Sequence, residues 1–173
     1  MNTQTAAPLT GTEFREFFIE QLMDIYWAET HFYETLIKLE QAATSPKLAG
    51  AFRKHADDTQ WQIRSVEQVF RLLNEEPKAK KCDAMAGLIK EAEAVIKETD
   101  KESYTRDAGL ILAAQKAEHY EIATYGTLRI FAGHMQRPDI RAELEKILEN
   151  EKASDVTLTV IAENFINEKA SEE

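Results

Sequence analysis

Apolar residues recur at the 3.6-residue period of an amphipathic helix over four long stretches of the chain and one short one. In the first, Phe14, Phe17, Phe18, Ile25, Ala28, Phe32, Leu36 and Leu39 predict a helix over about 12–43, with Thr10-Gly11-Thr12-Glu13 as a capping box at its start. Thr44-Ser45-Pro46 then supplies a stop and a restart, with Ser45 as N-cap and Pro46 at the first helical position. So short a connection makes the second helix (Leu48, Phe52, Ile63, Val66, Val69, Phe70, Leu73) return antiparallel to the first, until Asn74-Glu75-Glu76-Pro77 ends it. Asp83 is the expected cap of a shorter segment, Met85 to Ile96, which reaches about Lys97 and crosses between two hairpins. The third long helix starts near Ser103 to Thr105 and ends at Gly133 to Pro138, and a second short turn leads into the fourth, from about Asp139 to Asn167. No linker interrupts this order, which predicts a flexible amino terminus over 1–11, one domain over 12–168 and a polar tail over 169–173.

Four helices of about 30 residues are each ~45 Å long, and hairpin, long crossover, hairpin is the connectivity of a ferritin-like four-helix bundle. The expected fold is therefore all-α, with a short extra crossover helix. Composition agrees: 173 residues at 43% hydrophobic content suit one core, and six Gly and four Pro are few for this length. The formal charge of −10 argues against a nucleic-acid groove or an anionic membrane surface as partner. No apolar run approaches the ~20 residues of a membrane span. The first residues lack a signal-peptide pattern, and the single Cys82 reads as a surface thiol beside Lys80 and Lys81, so a soluble cytoplasmic protein is expected. Glycine-rich phosphate loops, nucleophile elbows and Cys-x-x-Cys pairs are absent from the sequence, which leaves nucleotide-dependent, serine-hydrolase and rubredoxin-type chemistry without support.

Candidate chemistry concentrates in Glu118-His119-Tyr120-Glu121. Glu118 and Glu121 are three apart and share a helix face with Ala114, Ala117 and Tyr125. Ionised carboxylates on a core face cost several kcal/mol unless compensated, and no Lys or Arg lies within one turn on that side. A metal ion would compensate them; a rotated helix with both acids in solvent is the alternative. Depth along the bundle favours the metal. Glu29 lies about 16 residues before the first turn, and His55, Asp58, Thr59 and Gln62 lie about 10 to 17 after it. Glu118 and Glu121 lie about 15 to 18 residues before the second turn, and Glu151 and Asp155 about 15 to 19 after it. All four helices thus bring acids to one mid-bundle layer, as a carboxylate-bridged pair of divalent ions requires. The pattern departs from the paired Glu-x-x-His motifs of ferritin-like di-iron proteins: His55-Ala56-Asp57-Asp58 reverses the order, and Glu151 to Asp155 contains no histidine. His31 and His134 are expected near the surface and His119 in outer or interface contacts, with Tyr26, Tyr33 and Tyr125 as packing aromatics.

The strings Tyr26 to Glu29, His55 to Gln62, Lys81 to Ile89, Arg106 to Leu128 and Glu151 to Asp155 together resemble the YciF family of ferritin-like stress-response proteins, over nearly the whole chain beyond the first ten residues. The resemblance implies a bundle related to rubrerythrins and ferritins, a di-metal centre, frequent dimerisation and bacterial expression under stress. It implies no settled reaction. Carried over position by position, the family's acidic and histidine positions fall on Glu29, His55, Asp58, Glu118, Glu121, Glu151 and Asp155. Asp58 stands where relatives usually carry Glu, a shorter acid that places one metal differently or leaves it a water.

The expected function is that of a di-metal carboxylate protein: two divalent ions, iron or else manganese, held between the helix pairs and reacting with dioxygen or peroxide, with Glu121 and Glu151 as bridging carboxylates. The alternatives are a manganese-catalase-like peroxide scavenger and a non-catalytic, stress-induced interaction protein. Phe14, Phe17, Phe18, Phe131 and Val156 exceed what one bundle interior buries, which predicts an isologous homodimer.

Overall fold

The computed structural model describes residues 12–173. Helix α1 spans Glu13–Ala42, and its N-cap is Thr12, whose hydroxyl accepts the Arg15 amide at 3.2 Å. Thr10 of the expected capping box and the expected flexible segment 1–11 lie outside the described residues. Ser45 caps α2 (Pro46–Leu72) by accepting the Leu48 amide at 3.4 Å, with Pro46 in the first turn as expected. Helix α3 covers Asp83–Glu98, and here the expected cap is corrected. Cys82, not Asp83, is the N-cap, its sulfur accepting the Met85 amide at 3.3 Å. The cause is the path of the preceding strand of coil, which the Lys80 amide ties to the Met23 carbonyl at 3.0 Å, drawing residue 82 onto the bundle. Cys82 is consequently buried rather than a surface thiol; the Tyr120 hydroxyl lies 3.1 Å from its sulfur and donates to Asp24 at 2.7 Å.

Helix α4 runs Tyr104–His134 and α5 runs Pro138–Ile161. Asp107 of α4 fixes the first hairpin from outside it: its two carboxylate oxygens accept the Thr44 and Ser45 amides at 2.7 Å each. The last long helix was expected to continue to about Asn167, but regular α geometry stops at Ile161, a single π turn covers Ala162–Ile166, and α6 (Asn167–Ala170) resumes. The wider turn shifts the helical phase. Phe165 now meets the Tyr104 ring edge-on at 5.8 Å, and the Lys169 ammonium sits 4.5 and 4.3 Å from the two ring centres. Glu173 in the expected polar tail accepts the Tyr104 and Thr105 amides at 2.7 and 2.9 Å, satisfying orphan donors at the start of α4.

The pairs α1–α2 and α4–α5 form hairpins, α2 packs on α5, α1 on α4, and α3 lies across α1 and α4. Neighbours run antiparallel: Phe14 meets Phe131 at 5.0 Å at one end while Asp107 holds Ser45 at the other. On the opposite side, Arg137 donates to the Leu72 carbonyl at 2.7 Å and Gln62 to Asn150 at 2.8 Å. The result is an all-α, ferritin-like four-helix bundle with a short crossover helix. Gly109 lets the crossover approach, since a Cβ there would lie 2.7 Å from Val95 Cγ1. Phe18, expected among the surplus aromatics, belongs to the core, whereas its neighbour Phe17 is 47% and Phe14 40% exposed. Among the described residues no helix is long and apolar enough to cross a membrane.

Candidate metal centre

Each long helix carries at least one polar side chain into a single layer midway along the bundle. Glu29 lies on the α1 stripe of Ile25, Phe32 and Leu36; Glu118 and Glu121 continue the α4 stripe of Ala114, Ala117 and Tyr125; Glu151 shares its α5 stripe with Leu144, Leu148 and Leu158. His55 enters from α2 with the Phe32 ring edge-on at 5.8 Å. Helix phase drives these groups inside, because the rest of each stripe is core. Their exposures are 0% for Glu29, Glu118 and Glu151, 1% for Glu121 and 5% for His55.

One donor atom from each of His55, Glu118, Glu121 and Glu151 lies within 4.8 Å of the others. His55 Nδ1 is 3.0 Å from Glu118 Oε1, out of line for a hydrogen bond, and Nε2 is 3.8 Å from Glu151 Oε2. Glu29 borders this group, its Oε1 accepting the hydroxyl of the fully buried Tyr125. Ten buried side-chain nitrogen and oxygen atoms lack a hydrogen-bond partner among the described residues, and eight belong to these five side chains: Glu29 Oε2, both His55 nitrogens, both oxygens of Glu118 and of Glu151, and Glu121 Oε1. Each such atom costs ~1–3 kcal/mol if nothing engages it. A divalent ion with ligands at ~2.0–2.3 Å holds donors up to ~4.6 Å apart, so the observed spread is close to that of a coordination shell. Carboxylate oxygens with one imidazole form a donor set that suits iron and manganese.

The electrostatics agree with the geometry. Burial raises all four glutamates above the ordinary carboxylate range, and neighbouring acids raise Glu29, Glu121 and Glu151 further, whereas Glu151 lowers Glu118. Glu118 is pushed up to about 8, chiefly by burial. Glu29 and Glu121 are raised first by burial and then by Glu151, and Glu151 by burial and then by Glu118. Burial pushes His55 down, against the pull of Glu151 and Glu29, which keeps the imidazole neutral with a lone pair to offer.

Asp58 and Asp155 are not brought into this group. Asp58 lies roughly 60° around α2 from His55, and at the half-buried edge of the stripe its short side chain accepts Lys54 and, at 3.4 Å, Asn150. Asp155 accepts Gln115 Nε2 at 3.0 Å and lies 3.3 Å from His119 Nε2 near the surface. His31 stacks on Trp27 at 3.7 Å, Tyr26 donates to Glu67 at 3.0 Å and Tyr33 accepts Gln60 at 2.6 Å, so none of the three reaches the layer. Tyr125 does more than the packing expected of it, since it orients Glu29; its place one turn beyond Glu121 on the same face was the available signal. Asn150, beside Glu151, carried no such signal. It holds the buried Gln62 in place next to a cavity of about 140 Å³ between α2 and α5, which runs from Lys54 and Asp58 inward to His55.

Residues 13–171 match the DUF892 family, described as a domain of unknown function. The chain belongs to the DUF892 family. Protein YciF of Escherichia coli (strain K12) is 46% identical to it over 154 residues, covering 88% of this chain and 92% of that protein. The crystal structure of the E. coli stress protein YciF superposes with a TM-score of 0.86 at 43% identity, over 92% of this chain and 100% of that one. YcfI from Rhodopseudomonas palustris gives 0.84 at 36% identity, over 87% and 96% of the respective chains. A YciF-like DUF892 bundle with a buried His/Glu cluster able to hold a metal is thus what sequence and geometry jointly describe.

Proposed function

We propose that this DUF892 protein is a di-metal carboxylate protein of the bacterial stress response, holding two divalent ions, iron or manganese, in the mid-bundle layer and acting on dioxygen or peroxide. The observation that carries the reading is the set of eight uncommitted donor atoms on five buried side chains from four helices. When bound, the ions supply positive charge to balance the carboxylates and redox chemistry toward dioxygen or peroxide. The chain's own residues prepare the site. His55 offers a neutral nitrogen, and Tyr125 occupies Glu29 Oε1 and leaves Oε2 uncommitted toward the layer. Glu118 holds its proton near neutral pH while the layer is uncompensated and gives it up when charge is balanced. Glu29, His55, Glu118 and Glu121 all interact with Glu151, which puts Glu151 at the centre of the side chains that would hold the ions. Asp58 lines the mouth of the α2–α5 cavity paired with Lys54, so the passage that reaches His55 opens at a neutralised ion pair. The stress context follows the E. coli relative described as a stress protein. The unpaired thiol of Cys82 suits a reducing cytoplasm.

Protein loaded anaerobically with Fe(II) or Mn(II) and desalted should retain about two ions per chain by elemental analysis, a stoichiometry set by the four-helix carboxylate plan. Oxidation of the Fe(II) form by dioxygen supports the oxidase reading, while fast peroxide consumption by the Mn(II) form alone moves the assignment to a catalase-like activity. Retention of less than one ion with either metal rejects the metal centre.

We further propose a homodimer. Phe14 and Phe17 stand largely open beside Phe131, and Leu112, Ile130, Val156 and Val160 expose 46 to 60% of their surface along α4 and α5. Such a surplus of large apolar side chains is what a second copy would cover. Sedimentation equilibrium at micromolar concentration should give twice the 19.7 kDa of the chain, and a monomer there rules the dimer out.

A further inference from the structure

At the end of the bundle where α1 stops and α3 hands over to α4, well away from the metal layer, the surface folds into a cleft of about 960 Å³. In a chain of formal charge −10 the cleft is lined by four cations, Lys38, Lys97, Lys101 and Arg106, against two acids, Glu93 and Glu102. Lys38 and Glu93 neutralise each other at 2.7 Å. Lys97, Lys101 and Arg106 make no ion pair of hydrogen-bonding length among the described residues, so the cleft carries surplus positive charge.

Arg106 decides what that surplus means. It is only 6% exposed, a degree of burial at which a charged group costs several kcal/mol unless something opposes its charge. Its Nε donates to Thr99 Oγ1 at 3.0 Å, and its Nη2 donates to the Ile96 carbonyl at 2.9 Å and to the Thr99 carbonyl. These neutral acceptors clamp the guanidinium plane against the end of α3, and the negative end of that helix offsets part of the charge. Nη1, however, makes no hydrogen bond among the described residues and is not fully enclosed, and Arg106 is one of the side chains that line the cleft. A cleft-lining side chain locked through two of its nitrogens, with the third uncommitted, is a preorganised donor. Two free lysines beside it add charge without adding rigidity.

We propose that this cleft binds a small organic anion whose phosphate or carboxylate head is held by Arg106 Nη1 with Lys97 and Lys101, its less polar body lying on Ala42, Ala43 and Ile96. The volume is within the range that small-molecule sites occupy, and the surplus of two positive charges left by four cations against Glu93 and Glu102 favours a head of about two charges. Nothing in the assignment depends on the metal layer, which lies about 18 Å away along α4, counted from Arg106 to Glu118.

The test is calorimetric titration of the full chain with pyrophosphate, with AMP and with citrate, the first two carrying phosphate and the third carboxylate. At least one should bind saturably at one per chain, and which of them does so identifies the head group. Lys97→Glu with Lys101→Glu, both on exposed positions, should weaken that binding at least fivefold with an unchanged melting curve. Lys146→Glu with Lys152→Glu on α5 should leave it within twofold. Arg106→Lys keeps the charge but loses the fixed fork and should also weaken binding at least fivefold; should that variant fold poorly, the lysine pair carries the test. Absence of saturable binding by all three probes at millimolar concentration, or a loss under fivefold in the lysine double variant, overturns the proposal and leaves Arg106 as a clamp on the end of α3.

Discussion

Glu121→Gln should leave the protein unable to retain metal and make the metal-free bundle harder to melt. Glu121 is 1% exposed, and its carboxyl is raised far above the ordinary range by burial, then by Glu151, Glu29 and Glu118. Nothing in the layer offsets that cost without an ion, because the one nitrogen group present, His55, is itself held neutral by burial. The amide has nearly the volume of the acid, so no cavity opens, and it brings N–H donors to a layer whose Glu118 and Glu151 oxygens lack partners. One acid fewer among four therefore relieves repulsion and desolvation together. We expect a gain on the order of 1–2 kcal/mol, or about 2–8 °C in melting temperature for a domain of this size. Scanning calorimetry in chelator reads the stability, and elemental analysis after loading reads the metal. Sites built for function are commonly held at such a cost in stability. If the variant instead melts lower in chelator, Glu121 is a structural hydrogen-bonding group and the metal-centred reading of α4 must be abandoned.

The sequence made the bundle legible because its two signals are both local. The 3.6-residue apolar period marks each helix, and Ser45-Pro46 and the turn before Pro138 mark where the chain reverses. The layer was legible for the same reason: depth counted from two short turns needs no knowledge of packing. Phase was harder to read. Phe17 and Phe18 are adjacent, and only their neighbours in space decide that Phe18 is the one inside. Asp58 and Asp155 lie at the right depth but at stripe edges, where tens of degrees of helix rotation separate a ligand from a surface pair with Lys54 or His119. Cys82 reads as a surface thiol beside lysines until the Lys80–Met23 contact pulls it in, and the π turn leaves no trace because Phe165 and Ile166 continue the apolar pattern. The cleft around Arg106 was invisible, since Lys97, Lys101 and Arg106 read as scattered turn charges until the fold sets the end of α1, with Lys38, Ala42 and Ala43, against them.

Acidifying the metal-free protein from pH 8 toward pH 5 should raise its stability, the reverse of the usual acid response. Glu118 is moved by burial from 4.5 to about 8, and Glu29, Glu121 and Glu151 are raised as well. An acid whose folded pKa lies above its unfolded one binds more protons folded than unfolded between the two values. Its contribution is fully present below about 4.5 and is lost as pH rises through the folded value. At ~1.4 kcal/mol per pKa unit, the Glu118 shift alone corresponds to roughly 3–5 kcal/mol across that window. Two opposing effects are smaller. His55, lowered by burial, favours folding as pH rises toward its ordinary 6.5, but it is one group against four. Glu93 and Asp139 are lowered by Lys38 and Arg137, and Glu173 by the Tyr104 and Thr105 amides; these are interactions of surface carboxylates, which solvent screens, and they contribute little. Metal should invert the trend, because an ion takes the place of the protons and binds more tightly as they leave. Melting curves at half-unit steps from pH 5 to pH 8, with chelator and with saturating Mn(II), should therefore diverge as pH rises. In Glu121→Gln the chelator curve should fall less steeply, by the share of one carboxylate. A metal-free protein that grows more stable from pH 5 to pH 8 would mean that the four acids are not gathered uncompensated in one buried layer, and the site as drawn would have to be discarded.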